Sequence, residues 1–201
     1  MLKFVLSFFV FLISAIAVAD APSYVRVRNI AYAGSGCPAG TVAGSIANDR
    51  QAFTLLFDSY IAEVGPGISI REKRKNCQLA VALDFPQGWS FSIFTVDYRG
   101  YVDLDGGIVG TQQSSYYFQG QSTTARLASN YYGPLSQNYQ IRDTLGISAV
   151  VWSPCGASRA LNINTEVRLN NSNNPTGSGI MTTDSIDGVV RQLYGFQWRR
   201  C

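Results

Sequence analysis

No histidine occurs among the 201 residues. Its absence removes Ser-His-Asp triads, Cys-His dyads and every zinc site with imidazole ligands. Charge is also scarce: 14% of residues are Asp, Glu, Lys or Arg against 46% apolar, a balance that excludes a disordered tail, a coiled coil and a collagen-like fibre. Lys and Arg number 16 and Asp and Glu 13, a formal +3. A nucleic-acid binder needs a clustered cationic face, and the one dense cluster, Arg71-Glu72-Lys73-Arg74-Lys75, reads as a solvated turn. No nucleic-acid partner is expected. After the N-terminal apolar segment no second run approaches the roughly 20 residues that cross a bilayer. One modest domain remains, without a familiar catalytic apparatus.

The N-terminal segment has the build of an export signal. Lys3 precedes apolar residues from Phe4 to Ile13 and from Ala15 to Ala19, and Ala17-Val18-Ala19 offers small residues at −3 and −1. Residues 1–19 are therefore expected to be a signal peptide cleaved after Ala19, with Ala21 the second choice, and residues 20–201 a single secreted domain. Loss of Lys3 leaves fifteen basic against thirteen acidic side chains, +2. No cysteine sits at the end of the apolar core to carry a lipid, so a soluble, extracellular product without membrane attachment is expected.

The four cysteines, Cys37, Cys77, Cys155 and Cys201, all follow the signal. An even number in an exported chain argues for two disulfides. Zinc held by four thiolates is the rival, but such sites use close C-x-x-C pairs, and these cysteines stand far apart. Three pairings are open. The preferred one, Cys37 with Cys77 and Cys155 with Cys201, closes loops worth about 4 kcal/mol each in the chain-entropy model.

From Tyr24 onward apolar residues alternate with polar ones between Gly, Pro, Asn and Ser, the signature of strands. Expected strands are Tyr24–Ile30, Cys77–Asp84, Trp89–Ile93, Gly100–Val109, Ser114–Gly120, Thr123–Ser129, Ile147–Trp152, Ala160–Leu169, Gly179–Asp184 and Val189–Trp198. Ala52–Val64 is apolar-rich and ends at Gly65-Pro66-Gly67; a strand is favoured there, with a short helix as alternative. Trp89, Phe91 and Ile93 share one parity while Phe94, Val96 and Tyr98 take the other, so a bulge or burial on both faces is expected near Ile93. Short strands without intervening helices imply an all-β fold, an antiparallel β-sandwich of Greek-key or jelly-roll type with two disulfides. The polar stretch from Asn170 to Ser178 reads as an exposed hairpin loop, and Asn170-Asn171-Ser172 is an N-glycosylation sequon usable in a eukaryote.

Several segments carry a family likeness: Gly34-Ser35-Gly36-Cys37-Pro38-Ala39-Gly40, Arg74-Lys75-Asn76-Cys77-Gln78-Leu79, Asp97-Tyr98-Arg99-Gly100-Tyr101, Leu104-Asp105-Gly106-Gly107, Tyr116-Tyr117-Phe118 and Trp152-Ser153-Pro154-Cys155-Gly156. With the aromatic-basic-Cys ending, the set resembles a family of small secreted four-cysteine proteins of fungi and some bacteria, domain of unknown function 4360. The resemblance spans roughly Ile30 to Cys201 and implies secretion and the cysteine framework. It implies no reaction, ligand or catalytic residue.

Without histidine, acid–base chemistry falls to carboxylates, and the cluster that draws attention is Asp97, Asp103 and Asp105. Asp103 and Asp105 share a strand parity, which places them on one face about 7 Å apart. Such a pair could serve as acid and base or hold calcium; the plainer alternative is that Asp105-Gly106-Gly107 makes a turn and Asp103 faces solvent. No metal site is assigned beyond that calcium option, and no other cofactor is expected. Gly177-Ser178-Gly179 lacks the strand-turn-helix setting of a nucleophile elbow and reads as loop. Among aromatics, Trp89 and Trp152 read as core. Tyr131-Tyr132-Gly133-Pro134, followed by Asn138 and Tyr139, reads as an exposed loop whose rings could stack on sugars.

The leading expectation is a monomeric, non-enzymatic extracellular protein that binds polysaccharide or another cell-surface ligand through Tyr131, Tyr132, Tyr139, Asp103 and Asp105. A secreted carboxylate-dependent glycan hydrolase is the second reading. An effector or inhibitor that binds another protein is the third.

Overall fold

The structure, a computed structural model, describes residues 21–120, 124–144, 151–155, 160–183 and 190–201. Residues 1–19, the expected signal peptide, lie outside them, as do residues 147–150 of the strand expected to end at Trp152. Twelve antiparallel strands are described, in two sheets. The five-stranded sheet has the order β1 (Arg26–Ala33), β5 (Arg74–Asp84), β10 (Leu161–Asn170), β7 (Val109–Phe118), β8 (Ala125–Tyr132). The second sheet runs β2 (Val42–Ile46), β3 (Ala52–Phe57), β12 (Val190–Arg200), β6 (Trp89–Leu104), β11 (Gly179–Thr182), β4 (Ile61–Val64), and β9 (Leu135–Thr144) pairs with β6 as well.

The period of two in the sequence becomes the two faces of each sheet. Along β10, Leu161, Ile163, Thr165, Val167 and Leu169 are buried, while the intervening residues turn outward. β5 does the same with Cys77, Leu79, Val81 and Leu83. These meet Phe53, Leu55 and Phe57 of β3 and Phe91 and Ile93 of β6 in one core. Each fully buried large apolar side chain contributes on the order of 2 kcal/mol. Phe91 touches Phe85, Phe118, Phe196 and Trp198 with ring centroids 5.0 to 5.6 Å apart, mostly edge to face, the arrangement ring quadrupoles favour.

The parity switch near Ile93 is a bulge. Thr95 stands opposite Gly195 but Ile93 opposite Phe196, so Phe94 has no counterpart on β12. Burial on both faces is also present: Ser90 and Ser92 are buried, and Ser90 Oγ donates to the Ser153 carbonyl at 2.6 Å. Both expected disulfides form, Cys37 to Cys77 and Cys155 to Cys201. The second holds the chain end, helped by Arg199 and Arg200 guanidinium groups 4.3 and 4.5 Å from the ring centres of Trp152 and Trp89.

Ala52–Val64 is extended, as favoured, in two strands, β3 and β4, and not in the alternative helix. Three expectations need correction. Trp152 is half-buried and forms an isolated bridge to Ser92, rather than lying in the core as Trp89 does. Asn170–Ser178 is not a hairpin loop, because it joins β10 of one sheet to β11 of the other. It is tied down: Lys73 Nζ donates to the buried Asn171 Oδ1 at 2.7 Å, and Asn174 Nδ2 to the Gly106 carbonyl at 2.9 Å. Finally, the stretch after Tyr131 is no exposed loop. It is the end of β8, a short Gly133-Pro134 link, and the ten-residue β9.

Candidate functional site

The sequence candidates separate into three places. Tyr139, on β9, is 5% exposed and belongs to the core, so it is not part of a binding surface. It stands opposite Gly100 of β6, where a Cβ would lie 2.6 Å from the tyrosine Cζ, so only glycine leaves room for the ring. Its hydroxyl is 2.6 Å from the Thr182 carbonyl and 2.8 Å from the Gln112 side-chain amide. A phenol has one proton, and giving it to the carbonyl lets Gln112, with its amide turned, donate Nε2 to the phenol oxygen. Tyr139 thereby ties β11 of one sheet to β7 of the other. Tyr131 is half-buried and faces the same way, its ring centroid 4.9 Å from that of Tyr139.

Asp103 and Asp105 do share a groove, of about 440 Å³, beside Glu63 of β4 and the backbone of Ser178–Ile180. Each carboxylate already has work. Asp105 Oδ2 accepts from the Ser178 backbone N–H at 2.7 Å, and its own N–H donates to the Ser178 carbonyl at 3.0 Å. The Ile108 N–H closes the turn on the Asp105 carbonyl, with Gly107 at φ 83°. Asp103 accepts from the Tyr101 hydroxyl at 3.3 Å, and that hydroxyl also meets Ser136 at 3.0 Å. Asp97 stands apart: it is buried on β6 and accepts both arms of Arg142 at 2.7 and 2.8 Å. Hydrogen bonding to Asp97, then its charge, raises the Arg142 pKa. Among the described residues no group of three acidic or cysteine side chains is placed to hold a metal.

Tyr132 marks the third place. Alternation sends it to the outer face of β8, where it is 68% exposed and lines a groove of about 490 Å³ with Lys73, Arg74, Asn130, Arg168 and Asn170. The registers explain the convergence. Asn170, Val109 and Tyr132 form one row across β10, β7 and β8; Arg74, Arg168, Thr111 and Asn130 form the next. Thr111 Oγ1 donates to Asn130 Oδ1 at 2.8 Å, which holds that amide. Arg74 and Arg168 stand directly opposite each other, an arrangement that costs stability for like charges. Glu166 relieves it from the following row. It accepts Arg74 Nε at 2.7 Å and lies 3.8 Å from Arg168 Nε. The hydrogen bond to Glu166, then its charge, raises the Arg74 pKa. A guanidinium so raised is fully charged below the ordinary arginine range, and the contribution is lost only as pH climbs through the raised value, above any working pH.

Asn170 is exposed at this rim, with Oδ1 accepting the Ser172 backbone N–H at 3.0 Å and the Ser172 hydroxyl at 2.6 Å. In the sequence Lys73 and Arg74 fall in the charged run that reads as a solvated turn, and nothing there singles out Asn130 or Arg168 on its own. The signal was present: Asn162, Asn164, Glu166, Arg168 and Asn170 alternate with the buried residues of β10, an outward face of amides and charge.

Two packed antiparallel sheets stapled by two disulfides, with polar grooves on their outer rims, define a disulfide-stabilised β-sandwich of the exported kind. The chain belongs to the family described as Domain of unknown function (DUF4360), whose model matches residues 23–201. It is 44% identical over 180 residues to an uncharacterized secreted protein of Arthroderma benhamiae, a match that covers 90% of this chain and 73% of that protein. The protein is thus a secreted one, as its cysteine usage predicts, and no described helix is long and apolar enough to cross a membrane. Among solved structures, the carbohydrate-binding module TmCBM61 in complex with β-1,4-galactotriose is 12% identical with a TM-score of 0.29, covering 87% of this chain and 90% of that one. The enzymatically active domain of tailspike protein 4 of bacteriophage CBA120 is 17% identical with a TM-score of 0.27, covering 83% of this chain and 19% of that one. Likenesses of that degree carry no argument about ligand or activity.

Proposed function

We propose that the protein is an extracellular, monomeric polysaccharide-binding protein whose binding surface is the outer face of the five-stranded sheet around Tyr132. The observation that carries this reading is the exposed Tyr132 ring beside the Asn130 and Asn170 amides in one groove. A sugar ring offers an apolar C–H face and a rim of hydroxyls. A flat phenol matches the first, and the Nδ2 donors of the two amides, whose Oδ1 atoms accept from Thr111 and Ser172, match the second. Outward residues repeat at about 7 Å along a strand and about 4.8 Å between strands, so a polymer can be met at several points. β5, which carries Arg74, is clamped by the Cys37–Cys77 disulfide and loses little freedom on binding.

The test is retention of the oxidised mature protein on a panel of insoluble cell-wall polysaccharides, with reducing ends assayed in the supernatant. Retention without release, lost in Tyr132→Ala, supports the reading. Equal retention of Tyr132→Ala overturns it. Glycan hydrolysis, the second reading, draws on the convergence of Glu63, Asp103 and Asp105 on one groove, since glycosidases use paired carboxylates about 5 to 9.5 Å apart. Release of reducing ends that disappears in Asp103→Asn would put hydrolysis in place of binding.

A further inference from the structure

Resting on the binding surface just proposed, we infer that its ligand is a negatively charged polysaccharide, with carboxylate or sulfate groups on the sugar rings. Three cationic side chains, Lys73, Arg74 and Arg168, line the groove, and no carboxylate lines it. Glu166, from the neighbouring row, is one charge set against two guanidinium groups, and its side chain is 13% exposed whereas those of Arg74 and Arg168 are 60% and 56% exposed. The carboxylate therefore sits beneath the rim and steers the two forks, while the forks meet solvent. A guanidinium anchored on one edge still presents N–H donors on the others, in the planar geometry that receives carboxylate and sulfate oxygens in pairs. An arginine pair across two strands is unfavourable for the sheet itself, and a multivalent anion laid over it removes that repulsion. Asn130 stands in the same row as the two arginines and Tyr132 and Asn170 in the next outward row, so the anionic group and the body of its sugar are met together.

Matched polymers separate charge from sugar. Binding is measured by affinity electrophoresis on polygalacturonate against its full methyl ester, and on dextran sulfate against dextran. The charged member of at least one pair is expected to bind tenfold or more tightly than its neutral partner, with affinity falling as sodium chloride is raised. Which pair shows it tells carboxylate from sulfate. Arg168→Gln is expected to lose tenfold or more, and Arg168→Lys to recover only part, because an ammonium lacks the fork. Arg126→Gln removes the same charge from the same sheet face, four residues along β8 from Asn130 and about 13 Å away, and is expected to bind within twofold of the parent. Melting curves of each variant confirm folding. Equal binding of charged and neutral partners, with Arg168→Gln unaffected, overturns the anionic ligand while leaving the polysaccharide reading intact. Equal losses in Arg126→Gln and Arg168→Gln overturn the groove, because attraction would then be diffuse. Absence of binding to all four polymers and to the insoluble panel overturns both readings.

Discussion

The two grooves of this sandwich are similar in size and opposite in charge, yet their charged groups are used differently. In the acidic groove Asp105 is spent on the Ser178 backbone and Asp103 receives the Tyr101 hydroxyl, so both help hold strands and a turn together. In the basic groove the guanidinium groups of Arg74 and Arg168 share a single carboxylate and extend into solvent. Charge alone does not make a site. What distinguishes the two is what the charged groups hold: Asp105 ties a turn to the Ser178 backbone and Asp103 receives a neighbouring hydroxyl, whereas Arg74 and Arg168 share one carboxylate and keep donors turned to solvent.

The comparison can be broken or sharpened by experiments of decreasing expected effect. Replacing Cys37 and Cys77 together by serine opens a bridge spanning 40 residues beside β5, whose Arg74 forms part of the basic groove, and should cost about 4 kcal/mol on chain entropy, read as a lowered melting temperature. Tyr139→Phe deletes the hydroxyl that joins β7, beneath the basic groove, to β11, beside the acidic one. It leaves a buried carbonyl and amide unpaired, at about 1 to 3 kcal/mol. Its melting temperature should fall while polysaccharide retention persists; lost retention at full stability would mean that Tyr139 reports on binding after all. Tyr132→Ala is the converse, with stability expected within about 0.5 kcal/mol of the parent because the ring is exposed, and retention reduced at least tenfold, about 1.4 kcal/mol. The smallest effect concerns calcium: adding it, or chelating it, should leave melting and retention of the parent and of Asp103→Asn alike unchanged. A rise in melting temperature with calcium that Asp103→Asn abolishes would restore a cation to the acidic groove.

Much of this fold was legible in the alternation of side chains. β5, β10 and the bulge in β6 follow directly from parity, since a pleated strand exposes every second residue to the core. β9 was not legible. Leu135 to Thr144 contains Ser136, Gln137, Asn138 and Gln140, and a polar stretch after Gly133-Pro134 reads as loop. Pairing with the long β6 overrides that composition. Tyr139 was misplaced for the same reason, since its burial depends on Gly100 across the pair and on Gln112 from the opposite sheet. Asp103 and Asp105 were correctly placed together, but their partner Glu63 lies forty residues earlier on a strand that reaches them only through β11. The basic groove is not legible in the sequence, because Arg74 falls in a charged run that reads as a turn and Arg168 in a different segment altogether.

Local chemistry along the chain was enough to determine most strands and turns, the exported character and the presence of two disulfides, because alternation, glycine and proline geometry and an even set of cysteines act over a few residues or through composition. The sequence by itself left open which strands would lie side by side. Seven of the eleven connections between described strands pass from one sheet to the other, so neighbours in the chain are seldom neighbours in a sheet. Non-local pairing sets the arginine pair across β5 and β10, the position of Tyr132 beside Asn170, and the opposite signs of the two grooves. It is decided by the packing of two apolar faces, a property of the assembled sandwich that no single segment carries.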